Sequence, residues 1–455
     1  MNAISNPVRP LGEDSGGVQR TPGTLKAPEQ LGLKRPETEP AMPALARPER
    51  LLDLLNILLS DVRYGLGAYL GVFLLSEHHW EEASIGLALS LGGLAGLISA
   101  TPMGALVDAV RDKRWLIALA AVVVTGTCLS IPLAPRFGPV VAAGVIGSIV
   151  GTLFGPAVSA ISLGMVGPAR FPERAGRNEA MFHAGNAACN VVVLGTSFLW
   201  GTAAVFWVLA STALASVAAA LAISKHSIDP DLARGLRAGA ERHGDHGTPL
   251  KVLLASRPLM IFAGCGALFH LANGAMLGLV GQKLALLVQG QGVTLTAACA
   301  IAAQVVMVPT ALLAGTHADR WGRKPLFGAA FVALALRGTL YTVSDEPAWL
   351  IAVQLLDGLG AGLTGALFPV IVADLTRGSG HFAVAQAGVG TLQGIGGTVS
   401  ATLAGEVVVA AGYGAAFLTL ASIAVLGGLL FWLLMPETRA APLMVDEAAA
   451  APLPS

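Results

Sequence analysis

The strongest constraint on this chain is a series of twelve apolar runs, at about 52–75, 84–107, 115–134, 139–165, 179–200, 202–224, 258–280, 293–314, 326–344, 348–374, 383–404 and 415–435. A bilayer hydrocarbon core is ~30 Å thick, and an α-helix needs ~20 mainly apolar residues to cross it. In lipid, only helices and closed barrels satisfy every backbone N–H and C=O. A barrel strand alternates apolar and polar positions, whereas Leu116–Val124 is apolar at every position. The runs therefore read as helices, spans 1 to 12 in chain order. Composition points the same way: 54% of residues are apolar and 12% charged, against about a quarter charged in an average soluble domain. The expected fold class is an all-α membrane protein with twelve transmembrane helices. The 28 basic and 28 acidic residues cancel, which argues against a nucleic-acid partner.

The remaining segments divide the chain. Residues 1–50 form a leader that is expected to be disordered; its first 46 residues hold seven prolines and no apolar stretch that would serve as a secretory signal. The N-terminal set of six spans covers 51–224, a polar linker 225–257, the C-terminal set 258–435 and a tail 436–455. The linker is expected to form short amphipathic helices around Asp231–Arg242. With the N-terminus inside, 24 of the 28 Lys and Arg fall on the cytoplasmic side, and Arg136 and Lys283 alone fall in outer loops. Basic loops are retained in the cytoplasm, so both termini are expected there. The chain contains no Asn-x-Ser/Thr acceptor, as fits a bacterial inner-membrane protein. Cys128, Cys189, Cys265 and Cys299 all lie within spans without metal-type spacing and read as small apolar residues. No metal or cofactor is expected.

The two sets of six spans repeat each other in parallel order. Gly67-Ala-Tyr-Leu-Gly71 matches Gly274-Ala-Met-Leu-Gly278, and Gly104 with Asp108 matches Gly315 with Asp319. Phe154-Gly155-Pro156 matches Leu367-Phe368-Pro369, and His183, Gly185 and Asn190 match Gln386, Gly388 and Gln393, all at offsets of 203 to 213. A nearly constant offset across four pairs of spans is the mark of an internal duplication.

The loop between spans 8 and 9 reads Gly315-Thr-His-Ala-Asp319-Arg320-Trp-Gly322-Arg323-Lys324-Pro325. It resembles the G-x-x-x-D-R-x-G-R-K signature of major facilitator superfamily transporters. The first-half copy, Gly104-Ala-Leu-Val-Asp108-Ala-Val-Arg111-Asp112-Lys113-Arg114, keeps the Gly, the Asp and the terminal basic pair but lacks the Arg after the Asp. Pro436-Glu437-Thr438 after the last span is also common in that family. The resemblance covers about residues 50–438 and implies two pseudo-symmetric six-helix bundles that rock around a central site. An Asp near helix termini binds exposed N–H groups and a neighbouring Arg, so each loop is a candidate latch between moving helices. The missing Arg argues for a weaker latch in the first copy.

Charges within the bilayer cost ~2.5–3.5 kcal/mol on insertion scales and are usually paired or line a cavity. Asp61 and Arg63 in span 1 are two residues apart and point to different faces; Asp61 is a candidate proton or cation site and Arg63 a candidate for one carboxylate. Arg337 in span 9 and Asp357 in span 10 lie at nearly equal depth from the turn at Glu346-Pro347 and are expected to form a structural ion pair. Asp357 shares a face of span 10 with Gln354, which leaves it a cavity candidate too. His270 with Asn273 in span 7, the stripe His183, Asn186 and Asn190 in span 5, Gln304 in span 8, and Gln386 with Gln393 in span 11 complete the candidate lining. His suits proton coupling because it titrates near neutral pH.

These features point to a secondary active transporter of a small organic solute, neutral, amphipathic or monoanionic, with protons as the coupling ion and lipid as its surroundings. A monomer is expected. The alternative reading is a non-transporting sensor or scaffold on the same fold. No His-Glu-x-x-His, Gly-x-Ser-x-Gly or phosphate-loop motif is present, so an enzyme is not expected. The family's antiporter signature, G-x-x-x-G-P-x-x-G-G, is absent from span 5; Gly151 to Pro156 in span 4 resembles only its first half. That absence weakens an efflux reading and leaves the direction of transport open.

Overall fold

The computed structural model describes residues 46–62, 67–201, 203–236, 256–289 and 291–439. They are almost entirely helical. Span 1 consists of Arg47–Val62 and Gly67–His78, and span 7 of Arg257–Asn273 and Met276–Leu287. The break in span 7 falls at Gly274 and Ala275, at the repeat counterpart of Gly67. Spans 2 and 3 are Glu82–Ala109 and Lys113–Leu133, and span 6 is Ala204–Ala222. Spans 8 and 9 are Gly292–Trp321 and Arg323–Leu340; span 10 consists of Pro347–Val353 and Leu355–Leu375. The helical stretches Phe137–Gly151 and Phe154–Trp200 hold spans 4 and 5, and Phe382–Leu434 holds spans 11 and 12.

These long stretches are not single rods. Gly167 (φ 71°) and Gly412 (φ 82°) carry the turns between spans 4 and 5 and between spans 11 and 12. Only glycine takes that backbone region without steric cost. Among the described residues, eight helical stretches are long and apolar enough to cross a membrane, and two of them, Phe137–Trp200 and Phe382–Leu434, contain two spans each. Span 9 is not among the eight, because Arg323, Lys324 and Arg337 all fall within its 18 residues.

Three sequence expectations change here. Residues 168–178, read as part of a loop, are the first turns of span 5. The helix of span 1 begins at Arg47, inside the expected leader. The linker forms two short 3₁₀ turns, Lys225–Ser227 and Leu232–Arg234, in place of an amphipathic helix at 231–236; Gly235 (φ 81°) ends the second. Residues 1–45, 237–255 and 440–455, which hold most of the leader, the rest of the linker and most of the tail, lie outside the described residues. The described linker straps the two halves: Asp229 N–H donates to Gly164 O (2.9 Å), and Gly378 N–H to Gly235 O (2.6 Å).

The helix start at Arg47 and the segment after span 12 lie on the same face as the Arg- and Lys-rich loops, the basic face: Glu49 pairs with Arg170, and Arg439 Nη1 donates to Asp319 O. Near it the halves meet closely. A Cβ on Gly104 of span 2 would lie 2.6 Å from Ala387 Cβ of span 11, and one on Gly315 of span 8 would lie 2.8 Å from Pro172 O of span 5. Gly176 of span 5 sits directly against Ala311 O and Gly315 of span 8. The pairs 2–11 and 8–5 are exchanged by the internal repeat, so the seam is itself pseudo-symmetric.

Candidate functional site

Between the halves lies a cavity of about 400 Å³. Spans 1, 4 and 5 contribute Asn56, Ser159, Asn178, Glu179 and His183; spans 7, 10 and 11 contribute His270, Thr364, Gln386 and Gln393. Phe182, Phe269 and Phe368 supply apolar wall. Two walls from two halves, few polar groups and an aromatic lining are the ordinary anatomy of a small-molecule pocket.

His183 reaches across to the other half. Its Nδ1 lies 2.9 Å from Gln304 Oε1 of span 8, and its Nε2 lies 3.2 Å from Glu179 Oε1 one turn away on span 5. Gly365 of span 10 leaves room for that carboxylate: a Cβ there would collide with Glu179 Oε1. Gln386 Nε2 donates to Ser159 Oγ (3.1 Å) across the seam. Its Oε1 is buried with no hydrogen-bond partner among the described residues. His270 lines the cavity and makes no side-chain hydrogen bond among the described residues. Gln393 also lines it, against Gly266.

Other predicted residues go elsewhere. Asn273, Gln354 and Asp357 form a separate network around Arg337, whose side chain is 1% exposed. Arg337 Nη1 donates to Asp357 Oδ1 (2.6 Å) and Asn273 Oδ1 (2.6 Å), and Nη2 to Gln354 Oε1 (3.0 Å). Tyr341 OH donates to Gln354 Oε1, and Gln354 Nε2 donates to Asp357 Oδ2 (3.1 Å). A buried guanidinium with several oxygens placed around it is the arrangement that makes a buried charge tolerable. Asn186 and Asn190 continue up span 5, where Asn190 accepts a hydrogen bond from Tyr69 OH (2.6 Å). Arg63 and the Asp61 side chain lie outside the described residues.

Below the cavity, toward the basic face, is a buried ion network that sequence reasoning missed. Arg174, 2% exposed, donates through Nη2 to Asp53 Oδ1 (2.5 Å) and through Nε to Asn178 Oδ1 (2.9 Å). Arg177 Nη2 lies 2.8 Å from Asp53 Oδ2. Arg170 binds both oxygens of Glu49 at 3.2 Å, and Asn56 Nδ2 donates to Asn178 Oδ1 (3.0 Å). The three arginines fall in 166–178, a segment that reads as a loop in the sequence and is helical from 168 in the structure. The available signal was the spacing of Glu49, Asp53 and Asn56, which share one helical face.

The two loop motifs behave differently. Asp108 accepts from Ala383 N–H (3.1 Å) and Val384 N–H (2.9 Å), the first turn of span 11. The degenerate first copy therefore holds the cross-half cap, contrary to the weaker latch expected of it. Lys113 is buried and donates to Val110 O (3.0 Å). Arg114 donates to Ile223 O at the end of span 6 (2.5 Å) and is clamped by Asp112; that hydrogen bond holds the Asp112 carboxyl below its ordinary pKa. In the second copy Asp319 bonds Arg323 (2.6 Å) within its own half. Arg323 Nε also reaches Asp374 (3.1 Å). Glu437 caps span 9 by accepting from Arg323 N–H (3.0 Å) and Lys324 N–H (3.1 Å). Gly322 (φ 89°) makes the approach possible, since a Cβ there would lie 2.6 Å from Glu437 Oε2. Lys324 Nζ lies 5.2 Å from the centre of the Trp432 ring. Arg111 and Arg320 are exposed, with no side-chain partner among the described residues.

Comparison with known proteins agrees with this architecture. The family model of the Major Facilitator Superfamily matches residues 52–308 and 289–454. An uncharacterized MFS-type transporter of Mycobacterium tuberculosis is 48% identical over 393 residues, which cover 86% of this chain and 94% of that protein. The MFS transporter FucP in its outward conformation superposes with a TM-score of 0.67 at 14% identity, covering 85% of this chain and 98% of FucP. The proton:xylose symporter XylE does so with a TM-score of 0.64 at 16% identity, covering 86% and 96% of the two chains. At such identities these two structures speak to fold alone. Twelve spans in two repeated halves, the duplicated loop motif and the matches over most of the chain have one reading: this protein belongs to the Major Facilitator Superfamily of membrane transporters.

Proposed function

We propose that this protein is a secondary active transporter that moves a small organic solute by alternating access, with protons as the coupling ion. The observation that carries the reading is the cavity of about 400 Å³ lined by both halves and shut toward the basic face by the 2–11 and 5–8 contacts. Parting those contacts while closing the other end would expose the same site to the other side. The basic face is the cytoplasmic one in this reading, because Lys and Arg are retained there, and the membrane is a bacterial inner membrane. Each copy carries a complete cavity, so a monomer suffices.

The lining narrows the solute. No Lys or Arg is among the described lining residues, and Arg174 and Arg337 are both bound into ion networks. The polar groups offered are amides, a serine, a threonine, two histidines and one carboxylate, beside phenylalanines. This suits a neutral solute with hydrogen-bonding groups and an apolar part, and the Gln386 Oε1 acceptor gives one donor of that solute a place to bind.

The test is a panel of metabolites and drugs offered to cells lacking and overproducing the protein, with and without a protonophore. A solute whose level changes with the protein, and loses that change with the protonophore, is the expected result. Unchanged levels across a broad panel would count against transport and favour a sensor or scaffold.

A further inference from the structure

Span 5 carries a continuous hydrogen-bonded chain. Tyr69 OH donates to Asn190 Oδ1 (2.6 Å), and Asn190 Nδ2 donates to Asn186 Oδ1 (3.0 Å). The same Asn186 oxygen accepts from Gln304 Nε2 of span 8 at 3.5 Å. With its nitrogen so engaged, Gln304 turns its oxygen toward His183 Nδ1 at 2.9 Å, and His183 Nε2 faces Glu179 Oε1 at 3.2 Å. With Glu179 ionised, both ring nitrogens face oxygens that only accept. An imidazole in that position needs a proton on each nitrogen and is a cation, with the Glu179 carboxylate as its counter-charge.

We propose that Glu179 and His183 form the proton-binding site of this transporter, and that Gln304, reaching over from the other half, ties its occupancy to closure of the basic face. The proposal rests on the alternating-access reading above and assigns its coupling site. From Glu179 to Asn190 is eleven residues, or ~16 Å at 1.5 Å per residue, about half of a ~30 Å hydrocarbon core. The amides do not carry a proton themselves. They orient the Gln304 oxygen and line a polar track from exposed Asn190 down to His183, along which water can deliver a proton from the side opposite the basic loops. When spans 5 and 8 part, His183 Nδ1 loses its acceptor and gives that proton to water on the basic side. A neutral imidazole remains, still donating to Glu179, so one proton enters and one leaves per cycle.

The surroundings support the dyad as the titrating unit. Glu49 and Asp53 of span 1 are bound to Arg170, Arg174 and Arg177 at the start of span 5. Among the described residues, spans 4, 10 and 11 line the same cavity with neutral Ser159, Thr364 and Gln386, span 8 reaches His183 with Gln304, and span 7 lines the cavity with His270; Arg63 and the Asp61 side chain of span 1 lie outside the described residues, so Asp61 is varied in the test. Asp108 also carries a carboxylate across the seam, so it is varied separately below.

The experiment has two readouts on the full chain in lipid nanodiscs. In ¹⁵N-histidine-labelled protein, the resonances lost in His183→Gln identify His183. They should show both nitrogens protonated while the basic face is closed, and the second proton should leave at lower pH in Glu179→Gln and in Gln304→Leu. A singly protonated His183 in the closed state of the unaltered protein would overturn the proposal. In the second readout, spin labels at Ala169→Cys and Thr316→Cys, with the native cysteines replaced, report the separation of spans 5 and 8. Raising the pH from about 5 to about 9, across the histidine range, should shift the population from short to long distance. Asp61→Asn, His270→Gln and Asp108→Asn should each keep a shift, and Glu179→Gln and His183→Gln should lose it. An undiminished shift in both of the last two would overturn the assignment while leaving alternating access intact. Labels that never part in any variant would overturn alternating access and the coupling with it.

Discussion

The carboxylate of Asp108 accepts the backbone N–H of Val384 at 2.9 Å, so the last turn of span 2 caps the first turn of span 11 in the opposite half. A helix start leaves N–H groups without partners and carries partial positive charge, and a carboxylate is the natural group to meet both. Its repeat counterpart Asp319 does not do the same for span 5. Pro168 and Pro172 sit in the first turns of that helix and have no N–H to offer, and Asp319 turns to Arg323 of its own half.

Removing this cap should loosen the basic face. An N-cap side chain is worth about 1 kcal/mol, so Asp108→Ala should lower the ratio of closed to open basic face roughly fivefold. Asp319→Ala should change that ratio much less, because its bonds stay within one half. Distances between spin labels at positions 169 and 316 read both.

Adding a methyl group at the 5–8 seam should hold the same face open. In Gly176→Ala the new Cβ would meet Ala311 O and lie 2.7 Å from Gly315 Cα; both are backbone atoms that cannot swing aside. The short label distance should disappear. Gly93→Ala, where nothing lies within 4 Å of the added Cβ, should leave the distribution unchanged.

The Arg337–Asp357 pair should behave as a unit. Arg337→Leu strands a carboxylate whose side chain is only 14% exposed and should cost ~3 kcal/mol, while replacing both charges should cost clearly less. The melting temperatures of Arg337→Leu and of Arg337→Leu with Asp357→Leu in one detergent check this. Equal losses would show that the two charges do not depend on each other.

Glu437 should make docking of the segment after span 12 pH-dependent. Burial opposes its charge, but the N–H groups of Arg439, Lys324 and Arg323 outweigh that and hold its carboxyl below the ordinary pKa. A group lowered in the docked state stabilises docking above its undocked pKa and loses that contribution as pH falls through the docked one. Hydrogen exchange at the Arg323 and Lys324 amides, corrected for intrinsic rate, should therefore speed up on acidification below the glutamate range. Glu437→Gln should abolish this pH dependence.

The polar residues show where reading the chain reaches its end. Counting from the turn at Glu346-Pro347 placed Arg337 and Asp357 at one depth, and depth along a helix is a property of the sequence. The stripe at His183, Asn186 and Asn190 was visible for the same reason. Glu179 belongs to that stripe one turn earlier, but in the sequence it stands at the edge of the apolar run of span 5, beside a segment whose prolines and arginines read as a loop. No spacing rule pairs Asp53 with Arg174, which are 121 residues apart, or Asp108 with Val384, which are 276 apart.

Twelve crossings and the duplicated plan follow from the chain itself, because hydrocarbon thickness dictates how long an apolar run must be; where a helix continues past its apolar run, as span 5 does through 168–178, the run does not mark its end. Which way each helix turns its few polar groups was decided only in the folded molecule. Spans apolar on every side carry no stripe that separates a lipid-facing surface from a packed one, and lipid tails are as apolar as the side chains they touch. Close glycine contacts and hydrogen bonds between distant spans set those rotations, and with them the cavity, the Asp108 cap and the Glu179–His183–Gln304 bridge.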